Sequence, residues 1–175
     1  KGDKKIHTIV VDSLTYLMDM FESTKVLTST NTMKAWGSYA QFMKNMMAQN
    51  VGSSDKNIIF IAHTSDIFNE SEMVNETMVK VKGSLMNTGI ESYFSTVIAC
   101  KKLDNKRLEG YKSPLLTYND EEKLLEFKYV YQTKLTKDTV NERIRSPMRM
   151  WDTQETYIDN NLQSILDRLH EYYDE

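Results

Sequence analysis

One cysteine, two prolines and six glycines in 175 residues exclude several classes of protein at once. Cys100 has no second cysteine to pair with, so no internal disulfide framework is possible, and the chain suits a reducing cytoplasm. Proline and glycine are too sparse for collagen or for a low-complexity linker. No apolar run reaches the roughly 18 residues that a membrane-crossing helix needs, so no membrane partner is expected. No charged-then-apolar leader opens the chain, and no signal peptide is expected either. What is present is ordinary for a globular protein: 40% hydrophobic and 27% charged residues. The length suits one domain over residues 1–175, with enough chain for a proper core.

Charge is uneven along the chain. Residues 101–149 hold 12 Lys/Arg against 8 Asp/Glu, a net of +4, while the remainder holds 10 against 17, a net of −7. The basic segment can meet phosphates, or it is a solvated face of mixed charge.

Hydrophobic patterning gives the elements. "IHTIVV" (residues 6–11) is β-branched and nearly continuous, as in a strand buried on both faces of a parallel sheet. "SLTYLMDMFES" follows as a helical segment. Residues 29–50 carry Met33, Trp36, Ala40, Met43 and Met47 at steps of three and four, an amphipathic helix that Asn31 or Thr32 can cap. "IIFIAHTSD" (58–66) repeats the opening theme. Residues 67–94 are polar, with one helical or looped excursion, and "STVIACKKL" (95–103) reads as a third buried strand. Residues 113–135 read as two strands around a turn at Asn119–Glu122, with Phe127, Tyr129 and Tyr131 alternating with Lys128, Val130 and Gln132. Asp152 and Glu155 have capping-box spacing before a last helix whose face is Ile158, Leu162, Ile165, Leu169 and Tyr172. Strands alternating with helices predict an α/β fold with a parallel core, and the later hairpin adds an antiparallel edge.

The first strand ends on a carboxylate. In open parallel sheets, ligands bind beyond the carboxyl ends of the strands, and Asp12, Ser13, His63 and Thr64 all fall at such ends. A carboxylate there can hold Mg²⁺, since hard cations prefer oxygen, and a polar group on the neighbouring strand can sense a phosphate or orient a water. The competing reading makes Asp12 a helix N-cap, with Ser13 helping, and His63 a structural histidine. Tyr129 and Tyr131, beside Lys128 and Lys134, can stack the bases of single-stranded DNA or simply pack.

"HTIVVDSLTYL" resembles the Walker B strand of RecA-like P-loop ATPases, and "NIIFIAHTSD" resembles their next core strand, which ends in a sensor residue. "STVIACKKL", a hairpin and the basic stretch "KLTKDTVNERIRSP" continue the order. The resemblance is to the phage type associated with single-strand annealing and recombination. It implies a RecA-like three-layer core with a mostly parallel sheet, a C-terminal β-hairpin and a terminal helix. It implies ATP and Mg²⁺ as cofactors, with Asp12 as the metal and nucleotide carboxylate beside Ser13. His63 and Thr64 would be the sensor. Lys137, Arg143, Lys134 and Arg145 would be candidates for a cation reaching a neighbouring subunit's nucleotide. Single-stranded DNA and further copies of the chain, in a ring or filament, are the implied partners, and a bacterial host's cytoplasm the implied location.

The chain departs from this family in one large respect. It has no G-x-x-x-x-G-K-[ST], the loop whose backbone cradles the phosphates. The expectation is therefore the Walker B strand onward, the C-terminal portion of a RecA-like ATPase core, which alone binds Mg·ATP poorly. A non-catalytic relative binding DNA or a recombination partner is the alternative. A nuclease or flavodoxin-like module is the third reading, but a nuclease wants more converging carboxylates and a flavodoxin a phosphate loop.

Overall fold

The computed structural model describes residues 5–174. The chain forms two compact units, Lys1–Tyr93 and Phe94–Glu175.

In the first unit, β1 (Thr8–Asp12) pairs in parallel with β2 (Asn57–Ile61), Thr8 opposite Asn57 and Asp12 opposite Ile61. Between them run α1 (Leu14–Phe21), a π-helical turn, α2 (Thr32–Asn45) and a second π-helical turn at Met46–Val51. The helices form where expected, and Asn31 caps α2 by accepting from Lys34 N–H at 3.0 Å. Their buried face is Leu14, Met18, Val26, Tyr39, Met43 and Met47. Met33, placed on that face by its spacing, instead stands in solvent one turn before the packing begins.

Two expectations for β1 divide. Its position and its terminal aspartate are as read, but Ile9 and Val10 are exposed and not covered on both faces. The cause is the sheet's width: β1 and β2 make a two-stranded sheet among the described residues, too narrow to be buried on both sides.

β3 (Thr64–Asn69) and β4 (Val74–Val79) then form an antiparallel hairpin, where the sequence suggested a helical or looped excursion. Short polar-rich strands carry too few apolar residues to register as strands, and here the pairing itself is the stabilising feature. After β4 the chain turns at Gly83, whose φ is +61°, into α3 (Leu85–Thr88). A Cβ at Gly83 would lie 3.0 Å from the Trp36 ring. Gly83→Ala combines that crowding with a left-handed backbone, and is expected to destabilise the unit by about 1–2 kcal/mol. A chemical-denaturation midpoint unchanged from wild type would refute this.

The second unit is built on an antiparallel sheet in the order β5 (Ala99–Asp104), β6 (Phe127–Gln132), β7 (Tyr157–Asp159). α4 (Asn105–Leu108) and α5 (Asp120–Leu125) lie between β5 and β6, and α6 (Leu162–Tyr173) closes the chain. The fold is therefore mixed α/β, but only β1–β2 is parallel, so the mostly parallel three-layer sheet is not what the described residues form. "STVIACKKL" explains part of this. Lys101 and Lys102 sit mid-strand, and a strand carrying successive lysines needs a solvated face, which an antiparallel sheet provides.

The hairpin expected around Asn119–Glu122 is instead the start of α5. Asn119 accepts from Glu122 N–H at 2.8 Å and Glu122 returns a bond to Asn119 N–H at 2.9 Å, so a complete capping box overrides the turn. Asp152 and Glu155 do form a capping box, but on a 3₁₀ turn at Thr153–Glu155; Ile158 belongs to β7, and α6 starts later with Asn161 as its cap. Trp151, just before that turn, is core, packed with Met150, Ile158 and Ile165.

Candidate functional site at the end of the parallel strands

Asp12 and Ile61 are the last paired residues of β1 and β2, so the two strands end level at one rim. The Asp12–Ser13 peptide is cis. Asp12 is exposed, and among the described residues its carboxylate meets no hydrogen-bond donor or cation. It is not the N-cap of α1. That role falls to Ser13, buried at the strand end, whose hydroxyl accepts from Tyr16 N–H at 3.3 Å. Capping by Ser13 leaves Asp12 available to a ligand while engaging one lone pair of the serine.

His63 reaches the same rim two residues beyond β2. Its backbone is held at both ends. Its N–H donates to Thr15 Oγ1 at 3.2 Å, and its carbonyl accepts from Lys80 N–H at 2.8 Å. Thr15 is itself buried in the first turn of α1. The imidazole is exposed and meets the Tyr16 ring edge-on, centroids 6.1 Å apart. Thr64 opens β3, exposed, opposite Val79. The structure thus gathers Asp12, Ser13 and His63 around the start of α1, with Thr64 next in the chain.

Lys82 ties the segment after β4 back to α1. Its ammonium lies 2.6 Å from Asp19 and also pairs with Glu22. The hydrogen bond from Lys82 holds the Asp19 carboxyl below its ordinary value, and the bonds to Asp19 and Glu22 hold the Lys82 ammonium above its own. Burial in the core beneath pushes the Tyr39 hydroxyl up to about 12. Glu91, also buried, accepts from Val79 N–H at 2.6 Å and so finishes the β4 end of the hairpin. Thr15, Lys82 and Glu91 were not legible as positioning residues, because their partners lie 48, 60 and 12 residues away and no local period marks them.

The four basic candidates lie in the second unit, after β6. Lys134 donates to the Trp151 carbonyl at 3.1 Å. Lys137, Arg143 and Arg145 are exposed, and the Arg145 backbone bridges to Val97. The aromatic strand behaves differently from its pattern. Lys128, Val130 and Gln132 face inward, Tyr129 is exposed, and Tyr131 packs on the Trp151 cluster. Lys128 and Lys134 are engaged elsewhere, so they do not join Tyr129 and Tyr131 in one base-stacking surface.

No group of three His, Cys, Asp or Glu side chains able to hold a metal is assembled among the described residues. A cation at the rim would have Asp12 as its one carboxylate among the described residues, with water and a phosphate completing the shell. A single carboxylate beside a serine hydroxyl suits Mg²⁺, which keeps several waters, better than zinc, which wants several protein ligands. Among the described residues no helix is long and apolar enough to cross a membrane.

A family model described as an AAA domain matches residues 1–146, which include every residue named at the rim and all four basic candidates. No curated protein and no solved structure matches the chain.

Proposed function

We propose, for a chain that belongs to the AAA domain family, that the rim at the ends of β1 and β2 is the metal-facing side of an ATP-hydrolysing site. AAA-type domains generally use ATP and Mg²⁺. The observation that carries the reading is Asp12 itself: a strand-terminal carboxylate kept out of the helix cap and, among the described residues, clear of cations, level with a neighbouring strand that leads to His63. Asp12 would hold Mg²⁺ beside Ser13. His63 and Thr64 would face the terminal phosphate, the former fixed through its backbone by Thr15 and Lys80. Lys137 and Arg143, with Lys134 and Arg145 as further candidates, would supply a cation to the nucleotide of a neighbouring copy.

The β1–α1–β2 arrangement supports a Walker B strand within a RecA-like core. The phosphate cradle is not among these 175 residues, so the reading requires a P-loop from sequence outside them. The finer proposal is a role in phage DNA recombination or replication, with single-stranded DNA as partner, in the cytoplasm of a bacterial host. The missing G-x-x-x-x-G-K-[ST] favours one other reading, a non-catalytic ATPase-fold module that binds DNA or a recombination partner.

The test is ATP hydrolysis by the uninterrupted reading frame that contains these residues, with and without single-stranded DNA, beside Asp12→Asn. Hydrolysis that DNA stimulates, and that the variant lowers by about a hundredfold or more at unchanged thermal stability, is the expected result. Asp12→Asn hydrolysing like wild type would overturn the assignment. DNA binding that weakens steeply with salt, without any hydrolysis, would favour the non-catalytic module.

A further inference from the structure

The rim offers a carboxylate, a hydroxyl and an imidazole, but a phosphoryl group in transfer also needs fixed positive charge on its oxygens. The four basic candidates all lie in the second unit. The β3–β4 hairpin brings a different cation to the rim itself.

The register fixes where that cation stands. Thr64 lies opposite Val79, so one step back His63 lies opposite Lys80. The hydrogen bonds agree with that pairing. Lys80 N–H donates to the His63 carbonyl at 2.8 Å, one of the two bonds that a bonded antiparallel pair exchanges. Val79 N–H, which this register turns out of the ladder, donates to the buried Glu91 carboxylate at 2.6 Å. His63 N–H, which would complete the pair, goes to Thr15 Oγ1 at 3.2 Å. Residues directly opposite in an antiparallel pair project from the same face, with Cα atoms about 5.5 Å apart when the pair is bonded. Lys80 and His63 therefore share a face. The His63 imidazole meets the Tyr16 ring, so that face is the one towards the start of α1.

Electrostatics on α1 agree. Asp19, one turn beyond Tyr16, has its carboxyl lowered first by the Lys82 hydrogen bond and further by the charges of Lys82, Lys80 and His63. The two lysines after β4 divide in role. Lys82 is paired with Asp19 and Glu22 and pins its segment to α1. Lys80 is exposed and, among the described residues, has no carboxylate at ion-pair distance. Its backbone is fixed beside His63 while its ammonium stays open to an anionic oxygen, the geometry a compact cation on a long stem needs.

We propose that Lys80 is a catalytic residue of the rim, its ammonium meeting the terminal phosphoryl oxygens of ATP from the His63 side. The proposal rests on the rim being an ATP site and needs no residue of the second unit. In the reaction, water attacks the terminal phosphorus and the bond to the β–γ bridging oxygen breaks. Its electron pair leaves with ADP, and the water's proton is released with inorganic phosphate. Lys80 transfers no proton; it stabilises the charge that builds on the transferring group.

The test uses the uninterrupted reading frame that contains these residues, with Lys80→Met, Lys80→Arg and Asp12→Asn. The Lys80 side chain is exposed and its bond to His63 is made by the backbone, so both Lys80 variants should keep the wild-type thermal midpoint. Lys80→Met is expected to lower kcat about a hundredfold with KM within about threefold, and Lys80→Arg to recover about a tenth of the wild-type rate or more. Calorimetry gives a readout apart from turnover. Wild type is expected to bind Mg·ADP about tenfold tighter or more when aluminium fluoride, which mimics the transferring phosphoryl group, is present. Lys80→Met should lose that gain while binding Mg·ADP alone as wild type does. A Lys80→Met protein that hydrolyses ATP like wild type, or keeps the aluminium fluoride gain, would overturn the proposal. If Asp12→Asn is inactive in that same assay, the ATP site stands without Lys80. A rate loss matched by a lowered thermal midpoint, with Lys80→Arg no better, would make Lys80 structural and overturn its catalytic role. A wild type that neither hydrolyses ATP nor shows the gain would overturn the ATP site, and Lys80 with it.

Discussion

Replacing Lys128 with methionine is expected to destabilise the second unit by about 3 kcal/mol, the usual cost of removing one partner from a buried charge network. Lys128 is 6% exposed, on the inward face of β6. Its ammonium meets Glu122 from the capping box of α5 and, at 3.2 Å, Asp159 from β7. Asp159 in turn accepts from Thr117 N–H at 3.1 Å and Thr117 Oγ–H at 2.7 Å. Methionine refills most of the volume but leaves two half-buried carboxylates facing each other. Burial alone would push the Lys128 ammonium down; the Glu122 and Asp159 carboxylates outweigh it and hold it above its ordinary 10.5. The raised value fixes the pH dependence. Protonation stabilises the fold fully below the unfolded value of about 10.5, and that contribution is lost as pH rises through the folded value. Wild type should therefore lose stability on strong alkalinisation by a component that Lys128→Met lacks. In the double variant with Glu122→Gln, part of the loss should return, since one unpaired carboxylate is gone. Urea titrations check all three, and a Lys128→Met cost below about 0.5 kcal/mol would show the network to be ordinary surface charge.

Lys128 also marks where the sequence stopped being readable. Alternation along "FKYVYQ" is correct, but it does not say which set turns inward: Lys128, Val130 and Gln132 are buried and Tyr129 is open. Nothing local announces this, because the groups that make burial tolerable come from elsewhere. Gln132 donates to the Lys134 carbonyl at 2.7 Å and to Thr139 Oγ1 at 2.8 Å, and Lys128 depends on Glu122 and Asp159. Local signals did better. The strand ending at Asp12, the helices after it and the strand leading to His63 all rest on short-range patterns, and all formed. The capping-box spacing at Asp152 was also real, but a cap specifies a first turn and says nothing of how many turns the helix then makes. This one starts a 3₁₀ turn of three residues. At the rim, the side chains that carry the proposed chemistry were legible as strand ends. The atoms that hold them, Thr15 Oγ1 and the Lys80 amide, are long-range contacts and were not.

The last 29 residues lie outside the family match, and within them one guanidinium ties α6 back to the segment that precedes β7. Arg168 on α6 meets Glu155 through both carboxylate oxygens, at 2.6 and 3.1 Å. It also donates to the Met150 carbonyl at 2.9 Å and lies 4.9 Å over the Trp151 ring. Glu155 Oε2, which takes the longer of the two Arg168 bonds, also accepts from Asp152 N–H at 2.9 Å. Arg168→Met should cost about 3 kcal/mol, because it strands a buried carboxylate and a buried carbonyl together. Arg168→Lys is the sharper variant. A lysine keeps the charge and can reach one acceptor, but it has no planar fork to span both oxygens of Glu155 while also serving Met150, and it stacks poorly on indole. It should therefore recover well under half of the loss, leaving about 2 kcal/mol. Trp151, buried against Ile158 and Ile165, reports the outcome directly. Its fluorescence should shift to the red at lower urea in both variants. An Arg168→Lys midpoint equal to wild type would mean that charge alone holds the helix, and that the geometry of the fork is incidental.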